Sequence, residues 1–230
     1  GYAGCSAYAD AIVNENEEHF RWLIAWFARI LQDPGGDRPG TAVVLKGRQG
    51  TGKGALVNQF QDILGPHFLA VSNQTHITGR FNSHHKNALM LFCDEGFWAG
   101  SKSDQGVLKQ LITEPRIVVE AKNKDAVAID NHLNLIIASN ERWVVPADMG
   151  ERRFFVLNVS DKHKEDREYF KAIWNQMNNG GREAMAWDLI HNVDVKAVNL
   201  RRAPKTPALL EQIEHSMTPL QLWWFERLQD

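Results

Sequence analysis

Thr41 to Phe60 reads TAVVLKGRQGTGKGALVNQF, and this stretch decides how the rest of the chain is understood. Ala42 to Leu45 is a short β-type run, the glycines at 47, 50, 52 and 54 make a turn, and Ala55 to Leu64 carries helical periodicity. Gly47, four intervening residues, Gly52 and Lys53 fit the G-x-x-x-x-G-K pattern, in which backbone N–H groups surround phosphates and the lysine reaches their β and γ oxygens. Gly47, Gly50, Thr51, Gly52, Lys53 and Gly54 are therefore the expected cofactor-binding residues. A flexible linker has similar composition, but a linker is not bracketed by an apolar strand and an amphipathic helix. The pattern normally closes with Ser or Thr, whose hydroxyl ligates Mg²⁺, and here that position is Gly54. The metal's inner shell is left open.

The chain has 230 residues, 43% of them hydrophobic, enough for one large α/β domain with helical additions or for two small domains. A net charge of −2 gives no basic footprint, so any nucleic-acid contact is expected to be local, as in a channel. Cys5 and Cys93 stand far apart without metal-ligand spacing, which predicts a reducing compartment and neither a disulfide framework nor a zinc site. No apolar run approaches the roughly 18 residues of a membrane span, and no signal peptide opens the chain. A soluble, cytoplasmic protein with no membrane partner is expected. Because the chain opens at Gly1 rather than Met, it reads as a piece of a longer polypeptide.

Before the loop, residues 14–33 place Phe20, Leu23, Ile24, Trp26, Phe27, Ile30 and Leu31 at helical spacing. Residues 1–38 are thus expected to be a helical N-terminal collar, 39–160 the α/β core, and 161–230 a helical C-terminal part. His67 to Val71 reads as a strand and Asn73 to Ser83 as a polar loop or short turn. His84 and His85 have no third ligand beside them and are expected to be solvated or close to phosphate. Ala88 to Glu95, ALMLFCDE, is an apolar run ending in two acids, the pattern of a strand buried on both faces of a parallel sheet. Its acids would emerge at the C-terminal edge, where ligands bind in open α/β sheets. With a phosphate loop upstream, Asp94 is expected to hold Mg²⁺ directly or through water and Glu95 to deprotonate the attacking water. Without that loop they would only cap a strand.

Ser103 to Glu114 predicts a helix, and Arg116 to Asn131 a hairpin whose tip carries Lys122 and Lys124. Two lysines on a tip suit contacts to a nucleic-acid backbone, although an ordinary solvated turn carries the same charges. Leu133 to Ser139 is a second buried strand, which delivers Asn140 to the edge of Asp94 and Glu95 as a candidate γ-phosphate sensor. Arg152 and Arg153 precede a further strand and are candidates for an arginine acting across a subunit boundary. Beyond Ser160 helices are expected at Glu165–Asn178, at Glu183–His191 and after Thr218–Pro219, with Val198–Ala208 as a linker or boundary.

The order of these pieces resembles the superfamily 3 helicases, a branch of the AAA+ P-loop ATPases found in viral and plasmid replication proteins. The resemblance rests on the loop at Gly47–Gly54, on Asp94–Glu95, on the hairpin VEAKNKDAVAID, and on the strand ending in Ser139–Asn140. The phrases GRQGTGKG, GRFN, LKQLITE and GERRFFVLNVS look like helicase domains attached to phage and plasmid primase-polymerases. It covers about Phe20 to Ile190. What it implies is a P-loop fold with a central, mostly parallel sheet, ATP and Mg²⁺ bound between subunits, and a homo-oligomeric, hexameric ring on single-stranded or forked DNA. It further implies a fused or associated primase-polymerase domain. Carried over by residue, Lys53 contacts phosphate, Asp94 helps hold Mg²⁺, Glu95 is the base, Asn140 the sensor, Lys122 and Lys124 the strand contacts, and Arg152, with Arg153 as alternative, the arginine finger. Other readings of the same motifs are an AAA+ loader that remodels protein partners and a nucleotide-dependent assembly module with little hydrolysis.

Overall fold

In the computed structural model, which describes residues 3–73, 75–95 and 102–228, the chain opens with two helices, α1 (Ala3–Ile12) and α2 (Glu17–Gln32). The second begins at Glu17 rather than Asn14, because Asn14 and Glu15 both take positive φ, 56° and 57°. Asn16 then caps it, accepting the His19 N–H at 2.9 Å, and Glu17 and Glu18 favour the positive end of the helix dipole. The core elements come next as β1 (Ala42–Lys46), α3 (Lys53–Val57), α4 (Gln59–Leu64), β2 (Phe68–Val71), α5 (Thr75–Thr78) and β3 (Met90–Cys93). After them stand α6 (Lys102–Thr113), β4 (Arg116–Val119), β5 (Val127–Asp130), β6 (Asn134–Ser139) and β7 (Phe154–Asn158). The chain continues through α7 (Arg167–Gln176), α8 (Arg182–His191), α9 (Pro207–Ser216) and α10 (Pro219–Arg227).

Strands β2, β3, β6, β1 and β7, in that order, form a wholly parallel sheet. Every residue of β3 and β6 is buried, as strands covered on both faces must be. Side chains alternate between two cores. Val43, Leu45, Phe92, Ile136 and Phe155 pack with Trp26 and Phe27 of α2, Leu56 of α3, Phe60 of α4 and Met185 of α8. Val44, Leu91, Ile137 and Val156 pack on the other face with Leu108 and Leu111 of α6, Leu209 and Ile213 of α9, and Ile117 of β4. Because all five strands run one way, the two edges of the sheet are distinct. The chain leaves the sheet at one edge after Lys46, Cys93 and Ser139, and enters it at the other before Ala42 and Phe154. Strands β4 and β5 form a separate antiparallel hairpin. Among the described residues no helix is long and apolar enough to cross a membrane.

Three expectations need correction. The stretch 198–208 is not a free linker: Trp22 Nε1 donates to the carbonyls of Asn199 (3.3 Å) and Arg202 (3.2 Å), and Thr41 Oγ1 donates to that of Leu200 (3.0 Å). Leu200 and Ala203 are its buried anchors, hidden in sequence among arginines and proline. Helix α9 begins at once, with Thr206 as N-cap and Pro207 in the first turn, so the proline starts a helix there instead of marking a loop. His85 is not solvated. It is 2% exposed, and its Nε2 lies 2.9 Å from the His76 carbonyl oxygen, to which His84 Nε2 also approaches at 2.8 Å.

Burial, helped by neighbouring His84, pushes the His85 pKa from 6.5 down to about 4. The unfolded chain therefore takes up a proton below about pH 6.5 that the native state refuses until about pH 4. Stability is predicted to fall across this window as pH drops, by up to roughly 3 kcal/mol at 1.36 kcal/mol per unit. His85→Gln should flatten that part of the slope in pH-dependent chemical unfolding; an unchanged slope would place the acid sensitivity elsewhere.

Candidate functional site

The loop after β1 owes its shape to bonds made from outside it. Gly50 and Gly52 stand at φ 84° and 80°, left-handed values that glycine adopts without steric cost. The Gly50 carbonyl accepts the Glu165 N–H at 2.9 Å, and the Thr51 carbonyl accepts the buried Tyr8 hydroxyl at 2.8 Å. Within a trans peptide the C=O and N–H point in opposite directions, so the N–H groups of Thr51 and Gly52 face away from these anchors. The N–H groups of Lys53 and Gly54, at the start of α3, have no intrahelical acceptor. Successive N–H groups turned the same way make a concavity suited to an anion. Lys53 Nζ bridges its mouth, donating to the carbonyls of Gly47 (2.7 Å) and Arg48 (3.0 Å). Burial lowers the Lys53 pKa, while Asp94 and Glu95 oppose the shift. Thr51 Oγ1 donates to the Arg48 carbonyl at 2.9 Å, so what this residue offers a ligand is its N–H rather than its hydroxyl.

One strand, β6, lies between β1 and β3, so Asp94 and Glu95 leave the sheet close to this loop. The Asp94 N–H donates to the Val71 carbonyl at 2.9 Å, which continues the β2–β3 ladder one residue past β3. Alternation then assigns Asp94 to the Phe92 face, the one that α3 covers. Glu95 has φ 60°, an unusual value for a non-glycine residue, and both acids are exposed. Asn140 comes directly after Ser139, which pairs with Lys46 in register, and is exposed at the same edge.

Arg152 and Arg153 stand at the opposite edge. Phe154 pairs with Ala42 at the start of β1, and β1 spans five residues, about 16 Å at 3.3 Å per residue. Neither arginine reaches the loop of its own chain. Arg153 is held by the buried Glu151 carboxylate at 3.2 Å, which also accepts the N–H groups of Arg152 (2.9 Å) and Arg153 (2.8 Å). The Arg152 residue is exposed.

The hairpin turns at Asn123, φ 61°, with Lys122 and Lys124 exposed on either side. Against it lies a segment whose part the sequence did not reveal. Arg80 Nε contacts both carboxylate oxygens of Glu120 at 3.0 and 2.9 Å, and Asn82 exchanges backbone and side-chain hydrogen bonds with Val118 and Glu120. Phe81 between them is 52% exposed and shares an open recess of about 750 Å³ with Arg80, Lys122, Asn123 and Lys124. A lone aromatic in a polar loop was the available signal. Tyr8 and Glu165 gave none.

A family model described as a family of unknown function, DUF5906, matches residues 45–153. The chain is 30% identical over 215 residues to a DNA primase-polymerase of Nitratiruptor phage NrS-1, the match covering 88% of this chain and 30% of the relative. It therefore spans less than a third of that protein. A structure of the NrS-1 C-terminal region, 305–718, superposes with a TM-score of 0.81 at 26% identity, covering 95% of this chain and 52% of the other. A JCV helicase structure shares the fold alone, with a TM-score of 0.52 at 15% identity, covering 99% of this chain and 60% of the other. This chain is thus a mixed α/β unit with a central parallel sheet, similar in sequence to a phage primase-polymerase and in fold to the NrS-1 C-terminal region and a helicase.

Gly52 is constrained by space as well as by φ: a Cβ there would lie 2.2 Å from Phe170 Cζ and 2.8 Å from Tyr8 Oη. Gly180 has nearly the same backbone conformation, φ 83° and ψ 5°, but nothing within 4 Å. Gly52→Ala is predicted to destabilise by roughly 2–4 kcal/mol, combining overpacking with backbone strain, and Gly180→Ala by about 1 kcal/mol. Urea unfolding of both variants checks this; equal losses would contradict the close approach of α7 to the loop.

Proposed function

We propose that this chain is the ATP-hydrolysing module of a replication helicase, acting on single-stranded or forked DNA as a homo-oligomeric, hexameric ring and joined to, or working with, a primase-polymerase domain. The observation that carries this reading is the placement of Lys53, the outward-facing loop amides, Asp94, Glu95 and Asn140 at one edge of the sheet, with Arg152 exposed at the other. The loop amides of Thr51 to Gly54 and the Lys53 ammonium would bind the β and γ phosphates. Glu95 would take a proton from the attacking water, and Asn140 would orient that water and the γ-phosphate without adding charge.

The residues present fit Mg²⁺. Among the described residues no cluster of three or more His, Cys, Asp or Glu forms a dedicated metal cage, and a nucleotide's Mg²⁺ takes one or two protein ligands and completes its shell with phosphate and water. Asp94 would hold it; once bound it neutralises charge on the phosphate oxygens. Arg152 of an adjacent copy would stabilise charge developing on the γ-phosphoryl group, a role its distance from its own loop denies it within one chain. At the other end of the task, Lys122 and Lys124 would track the phosphate backbone while Phe81 stacks on a base, a contact that tolerates any sequence. A net charge of −2 agrees with a contact confined to one surface.

Two experiments test this reading. Arg152→Ala and Lys53→Ala subunits are each predicted to be inactive alone and to regain ATP turnover when mixed, because an intact loop then meets an intact arginine. Full activity of Arg152→Ala by itself would refute the finger. Replacing Lys122 and Lys124 together by Ala is predicted to weaken single-stranded DNA binding at least tenfold and to flatten its log–log salt dependence by roughly 1.4, at about 0.7 per phosphate contact. Unaltered binding would favour a remodeller of protein partners.

A further inference from the structure

Gly54 leaves the loop without the hydroxyl that usually completes it, and the space beside it is filled from one helical turn onward. The Asn58 N–H donates to the Gly54 carbonyl at 2.8 Å, so α3 runs through this turn and sets both residues on one face. Helix side chains lean toward the N-terminus, and the Asn58 side chain accordingly lies over residue 54. Its Nδ2 is 3.1 Å, and its Cγ 3.8 Å, from the position a Cβ on Gly54 would take. The third neighbour of that position, at 3.8 Å, is Phe92 Cε1, on the strand face that leads to Asp94.

Other polar groups nearby are engaged. Gln59 donates to the Ala55 carbonyl at 3.0 Å and accepts from Arg182 at 3.1 Å, and Thr51 Oγ1 bonds the loop. The Asn58 side chain is half-buried at the junction of α3 and α4, where it is C-cap of the first helix and N-cap of the second, yet it makes no capping hydrogen bond there. A half-turn of its terminal amide presents an oxygen instead of a nitrogen, and amide oxygens are ordinary ligands of hard divalent cations.

We propose that Asn58 replaces the hydroxyl missing at residue 54 and would present its amide oxygen to the nucleotide's divalent cation, alongside Asp94. This rests on the nucleotide site proposed for the loop. A side chain at 54 would press on the amide of Asn58, which would have to give by a few tenths of an ångström, so the two groups draw on the same space.

The test is Mn²⁺ affinity, read from the free-ion electron paramagnetic resonance signal during titration of ADP-saturated protein. Asn58→Ala is expected to raise the Mn²⁺ Kd about tenfold. The double variant Asn58→Ala with Gly54→Ser, in which the smaller side chain clears room for the hydroxyl, is expected to recover to within about threefold of wild type. An Asn58→Ala protein with wild-type Mn²⁺ affinity overturns the proposal. Should Asn58→Ala not fold, Asn58→Asp keeps the shape and adds charge, so tighter Mn²⁺ binding supports the proposal and unchanged binding overturns it. Failure of the nucleotide site itself has a different signature: ADP binds neither wild type nor Lys53→Ala, or binds both equally.

Discussion

Two hydrogen bonds made from outside the glycine-rich loop decide which way its peptides face. Tyr8 on α1 takes the Thr51 carbonyl and the Glu165 amide takes the Gly50 carbonyl, and the N–H groups between them turn the other way as a consequence of peptide geometry. Helix α1 and the turn that leads into α7 are therefore part of the site. Phe170 closes over Gly52 from the same side, its ring edge-on to Tyr8 at 5.4 Å. Lys53, meanwhile, rests on the carbonyls of Gly47 and Arg48. In the proposed function the lysine exchanges these two carbonyls for phosphate oxygens, while the loop keeps the form its anchors impose.

The parallel sheet sets the second constraint. Five strands running one way collect the loop, the two acids and Asn140 at one edge and send Arg152 to the other. In the proposed function a single copy would thus hold the parts of one phosphate site at its two ends without being able to join them. Within that proposal Arg152 is preferred to Arg153, whose guanidinium is paired with Glu151 beside the turn into β7. The hairpin is steadied from the β2–β3 connection, where Arg80 and Asn82 grip Glu120 and Val118. The segment just ahead of the acid-bearing strand thereby touches the hairpin that carries the two lysines, a physical route between the two ends of the proposed reaction.

What could be read in the sequence was what is contiguous in it. β1, the loop and α3 lie in one stretch, β3 announces itself by an apolar run closed by Asp94 and Glu95, and the hairpin shows its two β-type segments around charged residues. The cap of α10 was legible too: Thr218 and Gln221 bond each other's backbone and side chain reciprocally. What escaped depends on partners far away in the chain. Tyr8 is 43 residues from Thr51, and no local pattern marks a helix tyrosine as the anchor of a loop. His85 looked solvated beside His84 because its burial comes from the fold around it. Helix α9 was hidden by Pro207, which reads as a breaker until Thr206 is seen capping the turn it begins. Gly54 stands out in the sequence as a departure, whereas Asn58, which occupies the vacated space, is connected to it only through the helix geometry.

If Glu95 acts on water at a nucleotide held by Lys53, in a motor coupled to DNA, the decisive comparison is steady-state ATP turnover of wild type and Glu95→Gln, each with and without single-stranded DNA. Measurable turnover is expected in wild type, with a rise on adding single-stranded DNA and a loss of at least about 100-fold in Glu95→Gln, as when a positioned general base is removed. Equal rates for the two proteins, whether both negligible or both substantial, would contradict that role for Glu95 and the motor built on it.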